Sequence, residues 1–291
     1  MNQDLSTYSV VGHDPVAQEW GVAVESKFLA VGAVVPWAQA GVGAVATQSH
    51  ANTSFGPDGM ALMAQGLSAR DALDRLLAAD EGRDHRQVGL VDTHGQTATF
   101  TGTQCPSWAG GLAGINYAAQ GNILVSAATV EALARTFEQA KGELADRLVA
   151  ALAAGQAAGG DRRGQQSAAV LVVRAQGGYG GYNDRYMDLR VDDDSQPVDR
   201  LRALVDLHHL FFRPPTPGEM TVIEGDLARE LQQILRWASY YDGPVTGDYD
   251  ARTRAALSSL IGNENFEERF DEEKGLISRQ VMDLLRFRFG R

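Results

Sequence analysis

The chain has 291 residues, of which 44% are hydrophobic and 22% charged, with a formal net charge of -11. That length exceeds the common domain size, so one large domain plus a smaller one is expected. The negative charge repels a polyphosphate and an anionic lipid surface alike, which argues against nucleic-acid and membrane partners.

Thr7 to Val11 reads as a strand, because β-branched and aromatic residues dominate it and Gly12-His13-Asp14-Pro15 supplies turn chemistry. Trp20 to Val24 alternates into Glu25-Ser26-Lys27, and further strands are expected around Val31 to Val35 and Val42 to Thr47, giving two hairpins. Ser68-Ala69-Arg70-Asp71 has N-cap spacing before a helix whose apolar face carries Leu73, Leu76 and Leu77. Val88 to Asp92 and Thr97 to Thr101 read as a hairpin around Thr93-His94-Gly95-Gln96. Helices are predicted from about Ala128 to Gln139 and Leu144 to Gln156, ending at Gly159-Gly160. Ser167 to Arg174 is then a buried strand, with Tyr186 to Val191 as its partner. Strand runs flanked by helix pairs predict two sheets between helical layers. Gly177-Gly178-Tyr179-Gly180-Gly181-Tyr182 matches neither a Walker loop nor a dinucleotide fingerprint and reads as a hairpin loop.

Arg213 to Gly218 carries three prolines that cannot continue a helix, which sets the expected domains at 1–212 and 219–291 with a linker at 213–218. Beyond it, helices are predicted around Asp226 to Trp237, Ala251 to Leu260 and Glu273 to Phe289. The single cysteine, Cys105, cannot form an intrachain disulfide, and Met1 to Leu5 has no basic and apolar signal pattern. No run approaches the ~20 apolar residues of a membrane span. A cytoplasmic protein is the expectation.

The order of blocks resembles the family catalogued as domain of unknown function 1028. The matching residues are Ser6 to Val11, Gly21 to Phe28, Ala30-Val31-Gly32, Val35 to Ala38, Ala40 to Gln48, Gln120-Gly121-Asn122 and Gly159 to Ser167. That resemblance implies an α+β fold: a four-layer αββα sandwich like that of the N-terminal-nucleophile (Ntn) hydrolases, followed by a small all-α C-terminal domain. Tyr240 to Leu257, with its Gly243-Pro244-Val245-Thr246-Gly247 turn before Asp250, is similar to the repeat of small peptidoglycan-binding helical domains. In such a turn Asp250 is the expected N-cap. Such modules bind cell-wall glycan or serve as docking elements, and both readings stand.

The Ntn resemblance implies that Thr7 is the nucleophile. A terminal α-amine titrates near ~7.7 to 8.0 and can deprotonate the adjacent hydroxyl, but only if the Ser6-Thr7 bond is cut. A β-branched residue opening a strand is the simpler alternative. Alternation puts Glu25 and Lys27 on one face, where they can act on the nucleophile's pKa. Only three lysines occur, at 27, 141 and 274, and none lies in the third or fourth strand where threonine hydrolases carry one. Gln120-Gly121-Asn122 offers amide donors to an oxyanion, or forms a tight turn. Asp161, Arg163, Gln166 and Ser167 form a loop that orients a nucleophile, binds substrate or is tied down internally.

Gln48, His50 and Asn52 alternate at a strand end and are expected to line a pocket. The histidines lack the carboxylate or cysteine spacing of a zinc site, so neither metal nor cofactor is expected, and Cys105 reads as a buried small side chain. The resulting alternatives are an amidohydrolase acting on a small amide or peptide through Thr7, Lys27, Glu25, Asn122 and Asp161, and a non-catalytic scaffold binding a small ligand or muropeptide. Base rates allow a homodimer.

Overall fold

The computed structural model describes residues 7–290, in a mixed α/β fold with eight helices and three antiparallel sheets among them. Residues 1–6, and with them Ser6, lie outside the described residues. The chain divides into two compact units, the first ending at Val205 and the second starting at Asp206.

In the first unit β1 (Thr7–Asp14) and β2 (Glu19–Ser26) pair through their full length. Asp14 closes their turn by accepting from the Val16 and Ala17 amides at 2.9 and 3.0 Å. The strand runs past the expected break at Gly12 because Gly12 packs beneath Phe137, where an added Cβ would come within 2.8 Å of the ring. His13 stacks on Trp20, with centroids 4.9 Å apart.

β3 (Pro36–Gln39), β4 (Gly43–Ser49), β5 (Arg86–Asp92) and β6 (Thr97–Thr101) form a four-stranded sheet in chain order. The strand expected at Val31 to Val35 is instead a short 3-10 turn over Val31–Ala33. Ala30 sits at φ 54°, and the Val34 and Val35 amides find Val31 oxygen rather than a neighbouring strand. Val31 and Val35 are still buried, so burial rather than pairing explains the apolar run.

Two helices, α1 (Phe55–Ala64) and α2 (Ala69–Ala79), bury Phe55, Met60, Leu73 and Leu76 against Val45, Val88 and Leu90 on one face of that sheet. Ser68 caps α2 by accepting from the Asp71 amide at 3.1 Å. The larger sheet adds β7 (Gly110–Gly114), β8 (Tyr117–Asn122), β9 (Ser167–Val173) and β10 (Arg185–Val191), in the order β10-β9-β2-β1-β8-β7. One face packs Tyr8, Val10 and Ala23 on Leu133, Leu148 and Leu152 of α3 (Ala128–Gln139) and α4 (Leu144–Ala157). The opposite face packs Val11, Val22 and Val24 on Ala44, Ala46 and Val91 of the smaller sheet. The strict alternation of β1 and β2 thus serves two cores at once.

α5 (Pro197–Phe212) contributes Val198, Leu201 and Val205 to the first unit's core. The division after Val205 falls inside this helix, upstream of the proline-bearing 213–218 segment.

The second unit is not all-α as expected: besides α6 (Gly225–Trp237), α7 (Ala251–Glu264) and α8 (Arg279–Phe289) it contains a small sheet in the order β11-β13-β12. Its strands are β11 (Met220–Val222), β12 (Phe270–Asp271) and β13 (Leu276–Ser278). The last helix therefore starts later than its periodicity predicts, because Gly275 at φ 62° reverses the chain and β13 pairs on both sides. Asp250 caps α7 through the Thr253 amide at 2.8 Å. Gln232 organises the Gly-Pro-Val-Thr-Gly turn by accepting from the Thr246 and Gly247 amides at 2.9 and 3.0 Å. No helix of the described residues is long and apolar enough to cross a membrane.

Candidate functional site

At the end of the larger sheet, four polar residues lie side by side across four strands. Asn122 of β8 is in register with Thr7 of β1, Thr7 with Ser26 of β2, and Ser26 with Ser167 of β9. All four are buried. Because paired residues in a sheet share a face, the row points toward the smaller sheet, and Thr7 Oγ1 donates to Ser26 Oγ at 3.2 Å. Ser167 closes the row by donating to Phe28 oxygen at 2.5 Å and accepting from the Val31 amide at 3.0 Å.

Beneath that row runs a seam of side-chain amides between the sheets. Ser9 donates to Gln48 Oε1 at 2.6 Å and accepts from Gln120 Nε2 at 2.6 Å. Gln48 Nε2 reaches Gln87 Oε1 at 2.8 Å and Thr7 oxygen at 3.3 Å. Gln87 accepts a second bond from Asn122 Nδ2 at 2.9 Å and donates to Gly121 oxygen at 2.7 Å. Buried amides need such partners, since an unmet donor costs about 1–3 kcal/mol. The seam therefore fixes the Thr7 backbone and the Asn122 side chain from the opposite sheet. Ser26 and Gln87 were not singled out by sequence reasoning. Ser26 sits opposite Thr7 in the hairpin register, while Gln87 is the second residue of β5, between Arg86 and the apolar run Val88 to Val91.

Glu25 and Lys27 go elsewhere. Glu25 pairs with Tyr8 on the helix-covered face, opposite to Thr7, where it is fully buried. The Tyr8 hydroxyl spends itself on Leu152 oxygen at 3.4 Å and Gln156 Oε1 at 3.1 Å. Neither Glu25 oxygen has a partner in good hydrogen-bond geometry, although Tyr8 and the Gln166 backbone lie close enough to ease its charge. Burial pushes the Glu25 pKa well above the usual carboxylate range, Asp161 adds to the rise, and Arg163 opposes it.

For an acid whose folded pKa is raised, the native state binds the extra proton above the unfolded value, so stability falls as pH climbs from the unfolded pKa toward the folded one. Glu25→Gln removes that penalty. The variant is expected to be more stable than the parent at pH 7, by on the order of 1 kcal/mol or more, and equal to it near pH 4. Urea unfolding at the two pH values checks this, and a variant less stable at pH 7 contradicts it.

Lys27 is exposed just past β2, and its Nζ donates to Gln165 oxygen at 3.1 Å. Its amide donates to Asp161 Oδ2 at 3.0 Å, and Asp161 also holds the Arg163 amide at 2.8 Å and its guanidinium at 3.3 Å. Arg163 in turn donates to Lys27 oxygen at 3.3 Å. Asp161, Arg163 and Lys27 thus form one cluster that knots the loop to the end of β2. Gln166 joins it to the surface, donating to Asp193 Oδ1 at 3.0 Å.

Gln120 and Asn122 lie within β8 rather than in a turn, and both face the seam. Gln48, His50 and Asn52 do not converge. β4 ends at Ser49 with φ 66°, which breaks the alternation beyond Gln48. The His50 ring stacks on His85 at 5.3 Å, and Asn52 donates to Asp80 Oδ2 at 3.4 Å in a separate cleft. Among the described residues no group of three or more His, Cys, Asp or Glu side chains is placed to hold a metal ion.

Residues 7–201 match the profile of a family described as "Family of unknown function (DUF1028)". The chain belongs to the DUF1028 family. A crystal structure of a DUF1028 protein from Silicibacter pomeroyi superposes with a TM-score of 0.64 at 28% sequence identity, covering 70% of this chain and 89% of that one. Residues 210–285 match a second family, described as "Putative peptidoglycan binding domain". No curated protein matches the chain. The DUF1028 match begins at Thr7, which stands between Asn122 and Ser26 in the polar row, and takes in the row, the seam and the Asp161 cluster.

Proposed function

We propose that the first unit is an Ntn-hydrolase-like αββα sandwich and a latent amide-bond hydrolase, with Thr7 as its nucleophile once the Ser6-Thr7 bond is cut. The observation that carries this reading is the buried row Asn122, Thr7, Ser26 and Ser167 across the end of the larger sheet, with Thr7 on its β1 strand. With a free amine at Thr7, the α-nitrogen takes the hydroxyl proton and Oγ1 attacks the amide carbon of a small amide or peptide; the C–N bond breaks as the α-ammonium returns that proton to the leaving amine, and water then cleaves the Thr7 ester to release the acid. Asn122, in register with Thr7 and held through its Nδ2 by Gln87, is the side chain placed to donate to the oxyanion. Glu25 and Lys27 then act only through the Asp161 cluster, as supports of β2.

Mass measurement of protein from its native host tests the proposal, together with labelling by a threonine-directed electrophile. A species beginning at Thr7 that takes one label, and loses it in Thr7→Ala, is expected. Full-length protein without labelling favours the second reading, a non-catalytic scaffold that binds a small ligand. The specific observation behind that alternative is that Lys27 Nζ turns to Gln165 while Glu25 occupies the opposite face from Thr7. The match at 210–285 supports glycopeptide fragments as the ligand class in either case.

A further inference from the structure

A cleft of about 540 Å³ opens between α1 and α2 of the first unit, away from the seam. Its volume lies within the ~300–1,000 Å³ typical of small-molecule sites. The floor is apolar, with Phe55 and Leu76 buried and Leu62 partly so. Three charged side chains line it: Asp58 from α1, Arg75 from α2, and Asp80 just past α2.

Asp80 is already committed. Arg86 Nε lies 2.7 Å from it, the Gly82 amide donates to it at 2.8 Å, and the Arg86 bond holds its carboxyl below the usual range. Asp58 and Arg75 differ. Neither side chain makes a hydrogen bond or ion pair among the described residues, and they do not pair with each other across the cleft they share. By contrast, the neighbouring Arg70 pairs with Asp74 along the same helix. An apolar floor flanked by one unpaired cation and one unpaired anion is complementary to a molecule with a carboxylate, an ammonium and an apolar side chain between them.

We propose that this cleft binds a short peptide with free termini, its carboxylate on Arg75, its ammonium on Asp58 and its apolar side chain against Phe55, Leu62 and Leu76. The site is independent of the Thr7 chemistry, because binding is read without turnover.

The test is a nuclear magnetic resonance titration of the full chain with L-leucyl-L-alanine, its N-acetyl form and its C-terminal amide. Saturable shifts at the Phe55, Leu62 and Leu76 amides are expected for the free dipeptide. Blocking either terminus should weaken binding about tenfold or more, as should Arg75→Gln or Asp58→Asn. Both variants change exposed helix positions and are expected to fold, which circular dichroism verifies. The amide form should bind Arg75→Gln and the parent equally, since the carboxylate that reads Arg75 is then absent. The proposal is overturned if the free dipeptide produces no saturable shift at the cleft, if the blocked forms bind as well, or if neither variant weakens binding.

Discussion

Replacing Gln87 by leucine is expected to destabilise the first unit by about 3–5 kcal/mol, although the side chains are similar in size. Gln87 is fully buried and its Oε1 is the shared acceptor for Gln48 Nε2 and Asn122 Nδ2. Its Nε2 donates to Gly121 oxygen at 2.7 Å, with Thr101 Oγ1 at 2.9 Å and Gly110 oxygen at 3.2 Å also within reach. β5 belongs to the smaller sheet and Gly110 and Gly121 to the larger, so one amide sews the two sheets together. Leucine removes the acceptor shared by Gln48 Nε2 and Asn122 Nδ2, leaving Gln48 with its longer bond to Thr7 oxygen, and removes the donor to the carbonyls; each lost buried bond costs about 1–3 kcal/mol.

Gln87→Glu, measured near pH 4 where the buried acid is protonated and carries no charge, separates the two halves of that effect, since the acid keeps the acceptor and loses one of the two donor hydrogens. It should lie between leucine and the parent if the Gln48 and Asn122 bonds dominate. Urea unfolding of the full chain followed by Trp20, Trp37 and Trp108 fluorescence measures the change, with Trp237 replaced by Phe in all forms to isolate the first unit. A loss below about 1 kcal/mol for leucine would show that the seam is not cooperative.

Much of the architecture was legible because burial is periodic. β1, β2, β5, β6 and β9 read as strands from their alternating or continuous apolar runs, and α3 and α4 from apolar spacing and the Gly159-Gly160 stop. α1 was not visible. Its first turns carry Gly56, Pro57 and Gly59, which look like breakers, yet a Cβ at Gly59 would already lie 3.2 Å from Val45 Cγ2. Small residues are there because the helix presses close on the sheet, a tertiary demand that outweighs propensity.

For the site, alternation places Thr7 and Ser9 on one strand face, and the structure has both facing the smaller sheet. The same alternation puts Glu25 and Lys27 on one face, but which face depends on the pairing of β2 with β1. A one-residue register decides whether a side chain meets the nucleophile or the helices behind it. Pairing Thr7 with Ser26 settles that in favour of Ser26. Gln87 escaped for a different reason, since a lone glutamine at a strand end has no local signature until the facing sheet supplies its partners.

In the second unit the largest expected effect is Arg269→Met, with a loss of about 3–5 kcal/mol. Arg269 is fully buried, and its fork closes the carboxyl end of α5, donating from Nε to Leu210 oxygen at 2.8 Å and from Nη2 to His209 oxygen at 2.5 Å. Those carbonyls belong to the last turn of the helix, where His209 oxygen accepts the Arg213 amide at 3.1 Å besides the guanidinium. The cation also sits where the helix dipole favours positive charge, and Glu219 lies 3.9 Å from Nη1. Burial draws the guanidinium pKa down while Glu219 counters it, so the charge is held at a cost that the carbonyl bonds offset. Methionine fills much of the same space but takes the side-chain donor from both carbonyls, leaving His209 oxygen with the Arg213 amide, and Glu219 with Arg213 as its remaining basic partner. Arg269→Lys retains the charge and loses the fork, so it should recover part of the stability only. Hydrogen exchange on the full chain reads the result region by region. A loss of this size speeds the slowest amides of α6, α7 and α8 by a hundredfold or more, at about 1.4 kcal/mol per factor of ten, while β1 and β5 exchange as before. Unchanged exchange in α6 and α7 would mean that the guanidinium only decorates the helix end, and that the apolar stack of Phe211 on Phe266, with centroids 5.3 Å apart, holds that corner by itself.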